Sequence, residues 1–161
     1  MDHDARWFAW YVQAKMNARR AERIADEMER RTGLPAAWID VLANLKEEPK
    51  RMNELADDLI LSRGGATRLI ARMEAAGLVE RETPAHDRRA TFAVITPAGR
   101  EVVEHALPIH LDIVEELYGR HLDGDDAEAV LRVAMRICDA HGWPDKAQAS
   151  PGSSTPSSSQ V

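Results

Sequence analysis

The chain has 161 residues and a mass of 17.9 kDa, a size that suits one domain and excludes a large multidomain machine. Apolar residues make up 44% and charged residues 30%, enough to bury a core and stay soluble, which excludes a chain disordered throughout. The formal net charge of −6 speaks against a uniformly basic protein, and no apolar run approaches the roughly 18 to 20 residues that span a bilayer.

Trp7, Trp10, Tyr11, Ala14, Ala18, Ala21, Ile24, Ala25 and Met28 recur at intervals of three and four, with Arg19, Arg20, Glu22, Arg23 and Glu27 between them. The spacing predicts one long amphipathic helix. Gly33 ends it, and Pro35 suits the first turn of a second helix with apolar positions Trp38, Val41, Leu42 and Leu45. That helix stops before Pro49. Asn53 is placed as the N-cap of a short helix carrying Leu55, Ala56 and Leu59 on one face. Shortly afterwards Ser62 caps another helix, in which Ala66, Leu69, Ile70 and Met73 fall together, leaving Arg63, Gly64, Thr67, Arg68 and Arg72 off that face. Gly77 ends it. Two short helices joined so briefly, the second turning Arg and Thr outward, have the organisation of a helix-turn-helix.

Residues 78–82 and 90–95 read as strands. The segment between them holds Pro84, His86, Asp87, Arg88 and Arg89, a charged hairpin tip where a winged helix carries its wing. Thr96 and Pro97 then open a helix as N-cap and first residue. Its apolar positions run from Val102 to Tyr118, and the internal Pro108 predicts a kink. Asp123 caps a last helix with Val130, Leu131, Ile137 and Cys138 on its apolar side, ended by Gly142. The Ser/Pro-rich residues 147–161 have nothing to bury and are expected to be disordered. The fold expected is mainly α (α+β): one domain over 1–146, in which a winged helix-turn-helix region, 34–96, is flanked by N- and C-terminal helices at 1–33 and 97–142.

The charge is unevenly spread: residues 101–161 carry 4 basic against 11 acidic side chains, whereas residues 62–89 carry 6 arginines against 4 acids. An α-helix fits the major groove, where Arg pairs bidentately with guanine and Thr meets a thymine methyl or a polar base edge. Arg63, Thr67 and Arg68 are therefore the base-reading candidates, with Ser62, Gly64 and Arg72 on the same helix. The alternative is an exposed, merely solvated helix face, in a ligand-binding or protein-interaction helical dimer without DNA binding. The first helix and the last two carry longer apolar stripes than so small a winged helix covers by itself, which points to a dimer.

The segments Met52-Asn53-Glu54-Leu55-Ala56-Asp57, Leu61-Ser62-Arg63, Thr67-Arg68-Leu69, Met73-Glu74, Gly77-Leu78-Val79-Glu80-Arg81, Asp87-Arg88-Arg89-Ala90 and Thr96-Pro97-Ala98-Gly99-Arg100 together resemble the MarR family of bacterial transcriptional regulators. The resemblance covers nearly the whole chain except the serine-rich tail. It implies a homodimeric DNA-binding regulator, most often a repressor relieved by a small molecule. It also implies that the terminal helices intertwine two chains, setting two recognition helices about 34 Å apart on a pseudo-palindromic operator in double-stranded DNA. In the wing, Asp87 would orient Arg89 into the minor groove, where narrow A·T-rich DNA concentrates negative potential. Arg88 and Arg81 would meet phosphates. Gly64 and Gly65 stand where the family commonly has Ser or Thr; they remove side-chain contacts but let the backbone approach a phosphate. The family's ligand pocket, often for aromatic or phenolic acids, would here draw on Trp7, Trp10, Tyr11 and Trp38, with Arg19 or Arg20 meeting a carboxylate. The competing assignment makes those aromatics dimer core.

Nothing calls for a cofactor or metal. Cys138 is a single cysteine on an apolar side, and His105 and His110 are spaced poorly for a helix-borne pair. No Ser/His/Asp, paired-carboxylate or phosphate-loop arrangement stands out, so no enzyme is expected. Residues 1–6 lack the pattern of a signal peptide, and a cytoplasmic protein is expected.

Overall fold

Helix α1 (His3–Thr32) follows the predicted three-and-four spacing until Gly33, whose φ of +70° turns the chain out of it. The computed structural model describes residues 3–83 and 90–143. Two compact units divide the chain, Met1–His121 and Leu122–Val161. In the first, α1 is followed by α2 (Ala36–Leu45), β1 (Lys50–Arg51), α3 (Met52–Asp58), α4 (Arg63–Ala75), β2 (Val79–Glu82), β3 (Phe92–Ile95) and α5 (Pro97–Leu117), then a 3-10 turn at Gly119–His121. The strands form one antiparallel sheet in the order β1-β3-β2. This is a mainly α winged helix with a small three-stranded sheet.

The core is where the periodicity places it. Ala66, Leu69, Ile70 and Met73 of α4 are buried, and the last three meet Val41, Leu42 and Leu45 of α2, Leu55 of α3, and Val79, Ala93 and Ile95 of the sheet. A second cluster joins Met28 of α1 and Ile39 of α2 to Ala106 and Ile113 of α5. Ser62 accepts the Gly65 N–H at 3.1 Å, as an N-cap should. Thr96 accepts from Gly99 N at 3.0 Å and donates its hydroxyl to Gly77 O at 2.7 Å. The start of α5 is thereby fixed to the junction of α4 and β2. That seating needs a glycine: a Cβ at Gly99 would lie 2.1 Å from Leu78 O and 2.9 Å from Ile95 Cγ1.

Several local expectations are corrected. Asn53 is not the N-cap of α3; Arg51 holds that position, and the Glu54 carboxylate accepts the Arg51 N–H at 3.2 Å. Pro35, expected in the first turn of α2, is its N-cap. Leu78, Ala90 and Thr91 lie outside the strands. Strand β1 has only two residues, too few for any periodicity to reveal. Pro108 sits inside α5, where the sequence places it.

The second unit's described element is α6 (Gly124–His141). Asp123 caps it by accepting from Asp126 N at 2.8 Å, and Gly142 closes it with φ +62°. None of its residues is buried. The predicted Ser/Pro-rich tail, 147–161, lies outside the described residues.

Candidate nucleic-acid interface

The link between α3 and α4 has a defined hydrogen-bonded form. Ile60 N–H donates to Asp57 O at 3.1 Å and Leu61 N–H to Ala56 O at 2.8 Å, the two bonds of a Schellman closure with Ile60 in the left-handed position. Ile60 accordingly has φ +53°. This closure turns the chain directly into the Ser62 cap, so α4 begins at Arg63 with its apolar face already on the core.

The opposite face of α4 carries the predicted residues. Ser62, Arg63, Gly64, Thr67, Arg68 and Arg72 are all exposed. A Cβ on Gly64 would lie 3.5 Å from Arg68 Nη1, so the Arg68 guanidinium lies alongside the bare backbone at Gly64. Gly65 is tighter, since a Cβ there would meet the capping Ser62 Oγ at 3.2 Å. Thr67 donates its hydroxyl to Arg63 O at 2.8 Å. With that proton committed, Thr67 has a lone pair and a methyl left to offer outward, which suits a base amino group or a thymine methyl.

Arg63 and Thr67 also line a cleft of about 620 Å³ between α4, the start of α3 and the sheet, shared with Arg51, Asn53, Arg81 and Thr91. Three of its lining residues are arginines. Arg51 was not singled out by sequence and Asn53 was read only as a helix cap, neither as a DNA contact; what would have marked them is their place at the start of the first helix of the helix-turn-helix. Arg81, expected on a phosphate, has protein partners: its Nη2 donates to Thr67 O at 3.2 Å and its Nη1 lies 3.6 Å from Glu74 Oε2. Asp87, Arg88 and Arg89 lie outside the described residues.

The predicted ligand-pocket residues are not gathered within the chain. Trp7 and Trp10 are exposed and Tyr11, half-buried, stacks on Trp7 at 5.2 Å. They occupy the far end of α1, roughly 30 Å at 1.5 Å per residue from Met28, where α1 meets α2. Arg19 is exposed, and the Arg20 guanidinium covers the Tyr118 ring at 4.1 Å. Trp38 instead packs against the core around α2, with its indole N–H buried and, among the described residues, without a hydrogen-bond partner. Among the described residues, no group of three or more His, Cys, Asp or Glu side chains is arranged to hold a metal ion, and no helix is long and apolar enough to cross a membrane.

The sequence pattern of the MarR family matches residues 32–90, the stretch that supplies the helix-turn-helix and the first strand of the wing. AbsC, a MarR family transcriptional regulator from Streptomyces coelicolor, superposes with a TM-score of 0.79 at 27% identity, covering 88% of this chain and 97% of that one. In sequence pattern over residues 32–90 and in fold, the chain is similar to MarR family regulators. Another MarR structure, Sco3205 from Streptomyces coelicolor, was solved in complex with DNA and matches at a TM-score of 0.79 and 25% identity, covering 90% of this chain and 92% of that one. The transcriptional regulator HosA of Escherichia coli O111:H- is 30% identical over 86 residues, 53% of this chain and 63% of HosA. The match therefore spans less than two thirds of that relative's length.

Proposed function

We propose that the protein is a homodimeric, sequence-specific DNA-binding transcriptional regulator that acts as a repressor and is released from its operator by a small molecule. The observation that carries this reading is the outward face of α4, where Arg63, Thr67, Arg68 and Arg72 stand exposed on a helix whose other side is fully committed to the core. Arg63, Thr67 and Arg68 read base edges in the major groove, and Arg72 meets the backbone. The hairpin carrying Asp87, Arg88 and Arg89 follows in the adjacent minor groove, as the resemblance implies. Arg51 and Arg63, both lining the cleft beside α4, add positive charge where a phosphate backbone would run. Relatives named as transcriptional regulators support the same class rather than an enzyme. No ligand, cofactor or metal enters this DNA-binding step, and a cytoplasmic location follows from the role.

Release by a small molecule draws on Trp38, which lies apart from the stacked Trp7 and Tyr11. The buried Trp38 indole N–H, without a hydrogen-bond partner among the described residues, offers a donor to a phenolic or carboxylic acid entering beside α2. Such a ligand would act by favouring a geometry in which the recognition helices miss the operator.

The test is binding to a fluorescent duplex selected by the protein itself from a random-sequence pool. Arg68→Ala should weaken binding by about 1–3 kcal/mol and relax base preference at one position of each half-site, while the oligomeric state stays unchanged. Failure of the wild-type protein to enrich any duplex would favour the helical dimer without DNA binding.

A further inference from the structure

We propose that Arg81 and Glu74 form a brace that fixes the stem of the wing against the recognition helix, so that Arg81 is a positioning residue rather than a phosphate contact. The inference rests on the DNA-binding reading above. Arg81 lies on β2, where it pairs in register with the buried Ala93 of β3. Its guanidinium reaches across to α4 and engages two points of that helix, the Thr67 carbonyl at 3.2 Å and the Glu74 carboxylate at 3.6 Å.

The two points share one side of α4, since residues seven apart fall at nearly the same angle. The Thr67 carbonyl points towards the helix C-terminus and the Glu74 side chain leans back towards the N-terminus, so both converge on the space the guanidinium fills. A planar fork meets both; an ammonium group on a flexible stem does not. The two side chains are 30% and 40% exposed, too open for the pair to add much to global stability. Its value lies in placement. Glu74 is a carboxylate on the helix proposed to face DNA, where a negative charge opposes phosphate binding. A purely solvated Glu74 would hinder binding, whereas a Glu74 that holds Arg81 helps it, and the two roles predict opposite signs on removal.

Glu74→Gln, Arg81→Gln, Arg81→Lys and the double Gln variant are measured with the duplex selected by the wild-type protein, over a series of salt concentrations. Each single Gln change should weaken binding about five- to tenfold. The double variant should be no weaker than Arg81→Gln alone, because the two act as a unit, and Arg81→Lys should recover little. The slope of log affinity against log salt should stay at the wild-type value in all four. Tighter or unchanged binding by Glu74→Gln overturns the brace, as does a slope lowered by about 0.9 in Arg81→Gln, the signature of one lost phosphate. Amide hydrogen exchange on the free protein gives a second decision: residues 79–82 and 92–95 should exchange faster in Glu74→Gln at an unchanged urea midpoint, and unaltered exchange refutes the brace. A wild-type protein that selects no duplex would end the DNA-binding reading, while the exchange measurement would still decide the brace.

Discussion

Two closures with the same hydrogen bonds, one at each end of the pairing of α3 and α4, differ in a single residue. After α4, Gly77 N–H donates to Glu74 O at 2.9 Å and Leu78 N–H to Met73 O at 3.0 Å, with Gly77 at φ +74°. After α3 the matching left-handed position is filled by Ile60, β-branched and 93% exposed. Glycine pays nothing for that conformation, whereas a side chain branched at Cβ costs about 1–2 kcal/mol. Ile60 gains no burial that would offset the cost. Ile60→Asn, which tolerates the left-handed region and keeps a side chain, should therefore raise stability by about 1 kcal/mol in urea unfolding. A midpoint unchanged or lowered would mean that the strain is relieved some other way. The glycines at 33, 77 and 142 announced their turns in the sequence because glycine is the usual occupant of such a position. Ile60 gave no such signal, and the strained corner of the helix-turn-helix could be found only in the structure.

At the level of elements, what was legible followed from length. The α4 core positions, the Ser62, Thr96 and Asp123 caps and the order of helices and wing strands all come from patterns long enough, or chemistry local enough, to read. β1 did not, because a two-residue strand exists only through its partner β3, and its Lys50 is held by Asp58 of α3 at 2.8 Å. The tie between α1 and α5 was equally hidden, since it joins residues 85 positions apart. There Arg31 donates to Glu116 at 2.7 Å and to Glu27 at 3.2 Å. Hydrogen bonding from Arg30, aided by Arg31, outweighs desolvation and holds the Glu27 carboxyl below its ordinary 4.5. Hydrogen bonding from Arg31 does the same for Glu116. Lowered carboxyl values in the folded state mean that the tie stabilises fully above the unfolded pKa and is lost as pH falls through the folded values, below about 4.5. The Glu27→Gln/Glu116→Gln double variant should start slightly less stable at neutral pH and lose less on acidification. Parallel acid limbs for wild type and variant, followed by urea midpoints from pH 6 downward, would remove α1–α5 pairing from the account.

At the scale of the whole molecule, each of the two units, taken by itself, leaves large apolar side chains exposed. Trp7, Phe8 and Trp10 of α1 are 59–64% exposed, and Leu131, Val133 and Ile137 of α6 are each about half exposed. On each unit, large apolar side chains exposed in this way mark an interaction surface, and a second copy of the chain is the occupant that the proposed function requires. The protein should sediment at twice its 17.9 kDa, and Leu131→Asp with Ile137→Asp should shift it towards the single chain. The two states should also differ on DNA. Each subunit of a two-fold dimer brings its own set of phosphate contacts, and each contact contributes about −0.9 to the slope of log affinity against log salt. Dissociation should therefore lower affinity and roughly halve that slope, because half the phosphates are lost together. Loss of affinity at an unchanged slope would show that the variant had damaged the DNA-facing surface of each subunit instead. A wild-type protein that sediments as one chain while keeping its full slope would place all the phosphate contacts on a single subunit.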